Sequence, residues 1–132
     1  MDQHTKYRLL CRLWSDTSIS PEEMEVMVSS GVIIPDDMIL WSVMNGREDL
    51  VSTLLAKGAN PNKRGYNDEV PALFRAAESY KWGGTFSSIN HLLKAGANPH
   101  SFMEWYDGQN WYYGTIAVVS YKAFGVNILK AA

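Results

Sequence analysis

Apolar residues recur at helical spacing along much of this chain, and two stretches end in nearly the same string. The strings are LLAKGANPN at 54–62 and LLKAGANPH at 92–100. In each, a Leu-Leu pair completes the apolar face of a helix. A glycine follows, where a residue that tolerates positive φ ends a helix without strain, and Asn-Pro then favours an extended exit. Because Gly58 and Gly96 are 38 residues apart, the pattern predicts a supersecondary unit used at least twice.

Each string is preceded by a segment that predicts a partner helix. PALFRAA at 71–77 precedes the second copy, and a degenerate MILWSV at 38–43 with NGREDLV at 45–51 precedes the first. From about residue 37 to residue 100 the chain resembles the ankyrin-repeat family, whose pattern runs T-P-L-H-x-A-A and later L-L-x-x-G-A-D-x-N. The resemblance implies an all-α ankyrin-repeat solenoid of about four helix pairs, with degenerate terminal caps and a short β-hairpin-like finger.

Weaker units flank the two clear copies. Ser20-Pro21-Glu22-Glu23 predicts a capped helix start, and MVSSGV at 27–32 echoes the repeated string. The stretch 6–14 would supply the partner helix, and 115–122 with 126–132 would form a last pair. We therefore predict one domain over 1–132, with a cap at about 5–34, repeats at 35–66 and 67–102, an aromatic insertion at 102–114 and a terminal helix pair at 115–132.

The most aromatic segment of the chain is 101–114, in which five of fourteen residues are Trp or Tyr. Asp107-Gly108 predicts a hairpin turn between β-prone arms. Strand alternation would place Trp111 and Tyr113 on one face and Tyr112 on the other. The segment would form a finger that contacts a partner, since Trp and Tyr are over-represented at binding hot spots. The alternative is a structural cover over the last helix pair.

The candidate partner-binding residues come from this finger and from the shorter loop 63–69, which would lie on the same edge. A partner surface that combines aromatic and acidic groups would suit that edge, although a solvated turn also explains the charges. The full candidate set is Trp105, Tyr106, Trp111, Tyr112, Tyr113, Tyr66, Arg64 and Lys63.

The loop 80–86 also departs from the repeat pattern, because it lengthens the turn between two predicted helices. Trp82 and Phe86 would fold back over the helix ends, because large aromatic side chains are normally mostly buried. The other interpretation is an aromatic contact point on a flexible Gly-Gly hinge.

Composition narrows the class of function. A length of 132 residues with 46% hydrophobic content is typical of one globular domain. The net charge is −2, so the chain has no excess of positive charge with which to bind nucleic acid, and we predict no nucleic-acid partner. A single cysteine excludes an intrachain disulfide. No segment is typical of a signal peptide or a membrane span, so we predict a cytoplasmic protein with no membrane partner.

The sequence offers little for catalysis or ligand chemistry. The three histidines do not lie at metal-ligand spacing, Cys11 has no activating neighbour, and no phosphate-binding loop is present. The acid pairs stand at predicted helix starts, where capping explains them. We therefore expect no enzyme activity, no metal and no cofactor.

Three functions follow from these patterns. The first is a protein-protein interaction module that binds a partner through its concave and finger surfaces, for example as a small inhibitor of the anti-defence or immunity type. The alternative is a self-assembling structural module whose aromatic finger forms a homo-oligomer interface. A small-ligand binder is the third, and it would need an aromatic pocket beside the finger.

Overall fold

A computed structural model describes residues 19–130. The N-terminal helix predicted at 6–14 lies outside this range. The described residues form six α-helices, one β-hairpin and one 3₁₀ turn. In chain order the elements are α1 Pro21–Ser29, α2 Met38–Met44, α3 Glu48–Ala56, α4 Ala72–Lys81, α5 Ser87–Lys94, β1 Phe102–Tyr106, β2 Trp111–Thr115, α6 Ile116–Phe124 and the 3₁₀ turn Ile128–Lys130.

The fold class is mixed α/β: about 49% of the described residues are helical and 11% are in strands. The prediction of an all-α solenoid is therefore wrong. What overturns it is the two-stranded antiparallel sheet, whose register runs from Phe102 opposite Thr115 to Tyr106 opposite Trp111. The physical reason is local. Aromatic residues that favour extended backbone fill both arms, so the hairpin-like finger expected here forms a regular two-stranded sheet, and the fold is not all-α.

The helices lie in two rows. Helices α2, α4 and α6 pack side by side in one row, and α1, α3 and α5 in the other. Between the rows, α2 packs against α3 and α4 against α5. Their apolar faces meet in one core, in which Leu50, Phe74 and Leu92 are fully buried. The hairpin packs on α6 at one end of this arrangement.

The repeated strings of the sequence form the same turn. The N–H of Ala59 donates to the carbonyl of Leu54 at 3.0 Å, and that of Ala97 donates to Leu92 at 2.9 Å. The glycines between them have φ of +93° and +104°, as a helix end of this type requires. The weaker string closes in the same way, because Val32 N–H donates to Met27 O at 3.0 Å. The sequence matches thus correspond to equivalent helix ends.

The first and last α-helices of the described region begin and end at identifiable capping residues. Ser20 Oγ accepts the N–H of Glu23 at 3.1 Å, with Pro21 in the first turn, which confirms the predicted cap. At the other end Gly125, with φ of +71°, ends α6. The first helix of the predicted terminal pair is thus present as α6, whereas the stretch after Gly125 forms the 3₁₀ turn and no second α-helix within residues 19–130.

Candidate functional site

The hairpin turn covers four residues, from Asp107 to Asn110, and is longer than the predicted Asp107-Gly108 turn. The Oδ1 atom of Asp107 accepts the N–H of Gln109 at 2.8 Å and that of Asn110 at 2.7 Å. These two hydrogen bonds, that of Asn110 first, hold the pKa of the Asp107 carboxyl below its ordinary value. Gly108 adopts φ of +102°, which a side chain would disfavour. The turn therefore fixes the pairing of the two arms.

One face of the hairpin, which we call the inner hairpin face, packs on the helices. It consists of Met103, which is buried, and of Trp105 and Tyr112, which are half-buried. The ring of Trp105 lies 5.0 Å from that of Phe74 in α4 and 5.3 Å from that of Phe124 in α6, measured between centroids. Tilted aromatic pairs at these distances are favourable contacts. The inner hairpin face therefore anchors the strands to both helices.

Tyr112 ties the inner hairpin face to the turn. Its hydroxyl donates to Asp107 Oδ2 at 3.2 Å, and its ring lies 5.9 Å from that of Trp105. Desolvation raises the pKa of Tyr112, and the negative charge of Asp107 raises it further. A neutral Tyr112 therefore remains the hydrogen-bond donor at neutral pH.

The opposite face, which we call the outer hairpin face, carries exposed aromatic side chains. Tyr106 and Trp111 lie opposite each other with their rings 5.2 Å apart, and Trp111 and Tyr113 lie 6.0 Å apart with an interplanar angle of 22°. The four aromatic side chains of this face are between 49% and 59% exposed. The rings of Tyr106, Trp111 and Tyr113 form a contiguous aromatic surface on a paired backbone, and Phe102 lies on the same face of the sheet. The members of the outer hairpin face are Phe102, Glu104, Tyr106, Trp111 and Tyr113.

Glu104 is the one charged member of the outer hairpin face. It stands opposite Tyr113 in the register and two positions from Phe102 and from Tyr106 on its own strand. Its carboxylate has no hydrogen bond or ion pair with any residue in the 19–130 range. An unpaired negative charge therefore lies among aromatic rings.

The neighbouring loop supports the hairpin through Arg64. Its Nη2 donates to the carbonyl of Phe102 at 2.7 Å, and its Nη1 donates to the carbonyl of Glu69 at 3.3 Å. Tyr66 is 97% exposed. Lys63 is half-buried and lines a cavity of about 380 Å³ together with residues of α1 and α3. Of the three loop candidates, Arg64 thus already contacts the hairpin backbone, and Tyr66 has a free side chain.

The structure separates the predicted site residues into two groups. Tyr106, Trp111 and Tyr113 come together on the outer hairpin face, whereas Trp105 and Tyr112 point towards the helices. Tyr112 lies on the face predicted for it. The prediction omitted Phe102 and Glu104. The alternation that separated Trp111 from Tyr112, continued across the turn into the first arm, would have placed both residues beside Tyr106.

The loop 80–86 differs from its prediction. Trp82 is 77% exposed, so the expectation that it folds back over the helix ends is wrong. Phe86 does pack, with its ring edge-on to Tyr80 at 4.8 Å. The reason for the difference is that Gly83, at φ of +108°, and the bond from Gly84 N–H to Ser79 O at 2.9 Å turn the chain directly after Trp82.

Comparison with protein-family models, with curated proteins and with solved structures gives no match. The ankyrin-repeat resemblance therefore stays a prediction from the sequence. None of the helices in the described part of the chain has the length and the apolar content needed to cross a bilayer. The same residues contain no group of three or more His, Cys, Asp or Glu side chains arranged to hold a metal ion.

Proposed function

We propose that this protein is a protein-binding module of the ankyrin-repeat type and that the outer hairpin face is its binding surface. The observation that carries the proposal is the exposure of four aromatic side chains on one face of a paired, anchored hairpin. Large aromatic side chains contribute much contact area with few rotatable bonds, which is why they dominate binding hot spots.

The support beneath this surface favours binding over a merely solvated finger. The inner hairpin face is held by Phe74 and Phe124, and the turn is held by the Asp107 carboxylate. The outer rings are therefore presented by strands with a fixed position, so little conformational entropy is lost when a partner binds. In this proposal Trp105 positions the hairpin, whereas Trp111 and Tyr113 contact the partner.

The alternative function is self-assembly, in which the outer hairpin face of one copy contacts that of another. An exposed aromatic surface supports this option as well. The two functions differ in whether the mass of the purified protein rises with its concentration, because only self-assembly requires no second protein. A small inhibitor that acts by occluding its target is one form of the first function.

Affinity capture from a lysate of the source cells tests the proposal. The immobilised full chain is compared with a Tyr106→Ser/Trp111→Ser variant and with Trp82→Ser. The last is the matched control, because it removes an exposed aromatic side chain that lies outside the hairpin. Light scattering on each purified protein gives its mass over a range of concentrations, and circular dichroism checks its helical content.

We expect the wild type and Trp82→Ser to retain the same protein and the hairpin variant to lose it while remaining folded. Retention by all three proteins would place the binding surface elsewhere. A mass that rises with concentration for the wild type, and not for the hairpin variant, would replace the proposal by the self-assembly alternative.

A further inference from the structure

The free edge of β2 lies beside the outer hairpin face. In this sheet β2 has β1 as its single neighbour among the described residues. Hydrogen bonds from Ile116 N–H to Ser101 O at 2.9 Å and from Asp107 N–H to Asn110 O at 3.1 Å identify the directly bonded pairs of the ladder. Because bonded and non-bonded pairs alternate in an antiparallel ladder, the N–H and C=O groups of Trp111 and Tyr113 point away from β1. An added strand could bond to them.

The same alternation determines which side chains of an added strand would meet the outer hairpin face. Side chains that point to one side of a sheet form rows across the strands. One row contains Tyr113 and, opposite it, Glu104; the next contains Trp111 and Tyr106. A residue added beside Tyr113 would therefore lie in line with the Tyr113 ring and the Glu104 carboxylate, about two strand spacings or roughly 10 Å from the backbone of Glu104.

We propose that the outer hairpin face binds an extended segment of a partner protein that pairs with β2 and places an arginine across Tyr113 towards Glu104. The apolar side chains two positions before and after this arginine lie beside Trp111 and beside Thr115, the last residue of β2. This inference rests on the proposed function, because it specifies the partner for the same surface.

Charge complementarity favours a basic segment. The long stem of arginine can lie along an aromatic ring, its planar guanidinium stacks on that ring, and its donors match the geometry of a carboxylate. Glu104 is unpaired within residues 19–130. Arg64, which contacts the hairpin backbone, lies at the opposite edge of the hairpin, since it donates to the Phe102 carbonyl, which points away from β2.

The test uses the full chain and a set of synthetic peptides. The first peptide is Ser-Thr-Val-Thr-Arg-Thr-Val-Thr-Ser, which alternates apolar and polar positions as an added strand requires. Two matched peptides carry citrulline, the neutral analogue of arginine, or glutamate in its place. Binding is followed by nuclear magnetic resonance, through the indole N–H of Trp111 and the backbone amides of Trp111 and Tyr113. The protein variants are Glu104→Gln, Trp111→Ala and, as the control, Glu22→Gln.

Glu22→Gln is a matched control because it removes the same formal charge from an exposed position on α1, which packs on α3. We expect the arginine peptide to bind about three- to tenfold more tightly than the citrulline peptide, the range given by an exposed ion pair with a cation–π contact. The glutamate peptide binds more weakly still. Glu104→Gln lowers the affinity for the arginine peptide towards that for the citrulline peptide, because the ion pair is lost and only the contact of the guanidinium with the Tyr113 ring remains, and it leaves the affinity for the citrulline peptide unchanged.

Other outcomes separate the failure of this inference from the failure of the proposed function. If the citrulline and glutamate peptides bind as tightly as the arginine peptide, and Trp111→Ala abolishes all three, the surface binds peptides but the charge preference is overturned. If no peptide shifts the hairpin signals, or if Glu104→Gln and Glu22→Gln weaken binding equally, the inference is wrong. The lysate experiment then still decides whether the surface binds a protein.

Discussion

The two faces of the hairpin carry the same kinds of aromatic residue, but these residues differ in what they contact. Trp105 and Tyr112 on the inner face contact each other and the helices, whereas Trp111 and Tyr113 on the outer face contact each other and solvent. The difference lies in what the rings contact: the ring of Trp105 on the inner face packs on Phe74 and Phe124, whereas the rings of the outer face are about half exposed in the described structure. Residue type alone therefore does not separate an aromatic side chain that packs on the fold from one that is exposed.

Replacement of Phe74 tests the foundation of this comparison and has the largest expected effect. Phe74 is fully buried, and the centroid of its ring lies 5.0 Å from those of Trp105 and Phe124. We expect Phe74→Ala to lower the free energy of unfolding by about 3–5 kcal/mol, because it removes a buried ring and leaves a cavity. Urea unfolding followed by circular dichroism measures this change. Phe74→Leu, which retains most of the apolar contact, should cost clearly less; an equal loss for both would contradict the importance of the ring contacts.

A pair of tryptophan substitutions tests the comparison itself. Trp105→Ala removes a half-buried ring from the inner face, and we expect a loss of about 2 kcal/mol in the free energy of unfolding. Trp111→Ala removes an exposed ring, and we expect a change within about 0.5 kcal/mol. Both are measured by urea unfolding under the same conditions. Equal losses would show that the outer rings also stabilise the fold, and this would weaken the assignment of a binding role to them.

The sequence predicted the features that depend on neighbouring residues. The helix ends at Gly58 and Gly96 were predictable because Leu-Leu, Gly and Asn-Pro act within one turn of helix. The cap at Ser20 was predictable for the same reason. The opposite faces of Trp111 and Tyr112 followed from strand alternation. These interactions span a few residues each, so the residue order contains the necessary information.

The features that the sequence did not reveal depend on contacts between distant elements. That Trp105 faces inward follows from Phe74 and Phe124, which lie on two other elements. Trp82 is exposed because the chain turns away directly after it. The binding role proposed for Glu104 could not be predicted, because it depends on the rings around Glu104 and on the lack of a cation beside it in the described residues. Only a folded arrangement shows these relations.

Acidification tests the hairpin turn that joins the two strands, and it has the smallest expected effect. The hydrogen bonds from Asn110 and Gln109 lower the pKa of Asp107 below 3.8. A carboxyl whose pKa is lower in the folded state stabilises that state above its ordinary pKa and loses this contribution as the pH falls through the folded value. We therefore expect the amide signals of Gln109 and Asn110 to shift with a midpoint below pH 3.8, and Asp107→Asn to abolish the transition. A midpoint at or above pH 3.8 would show that the carboxylate does not hold the turn. The geometry of the hairpin would then depend on the strand pairing and on the contacts of the inner rings alone.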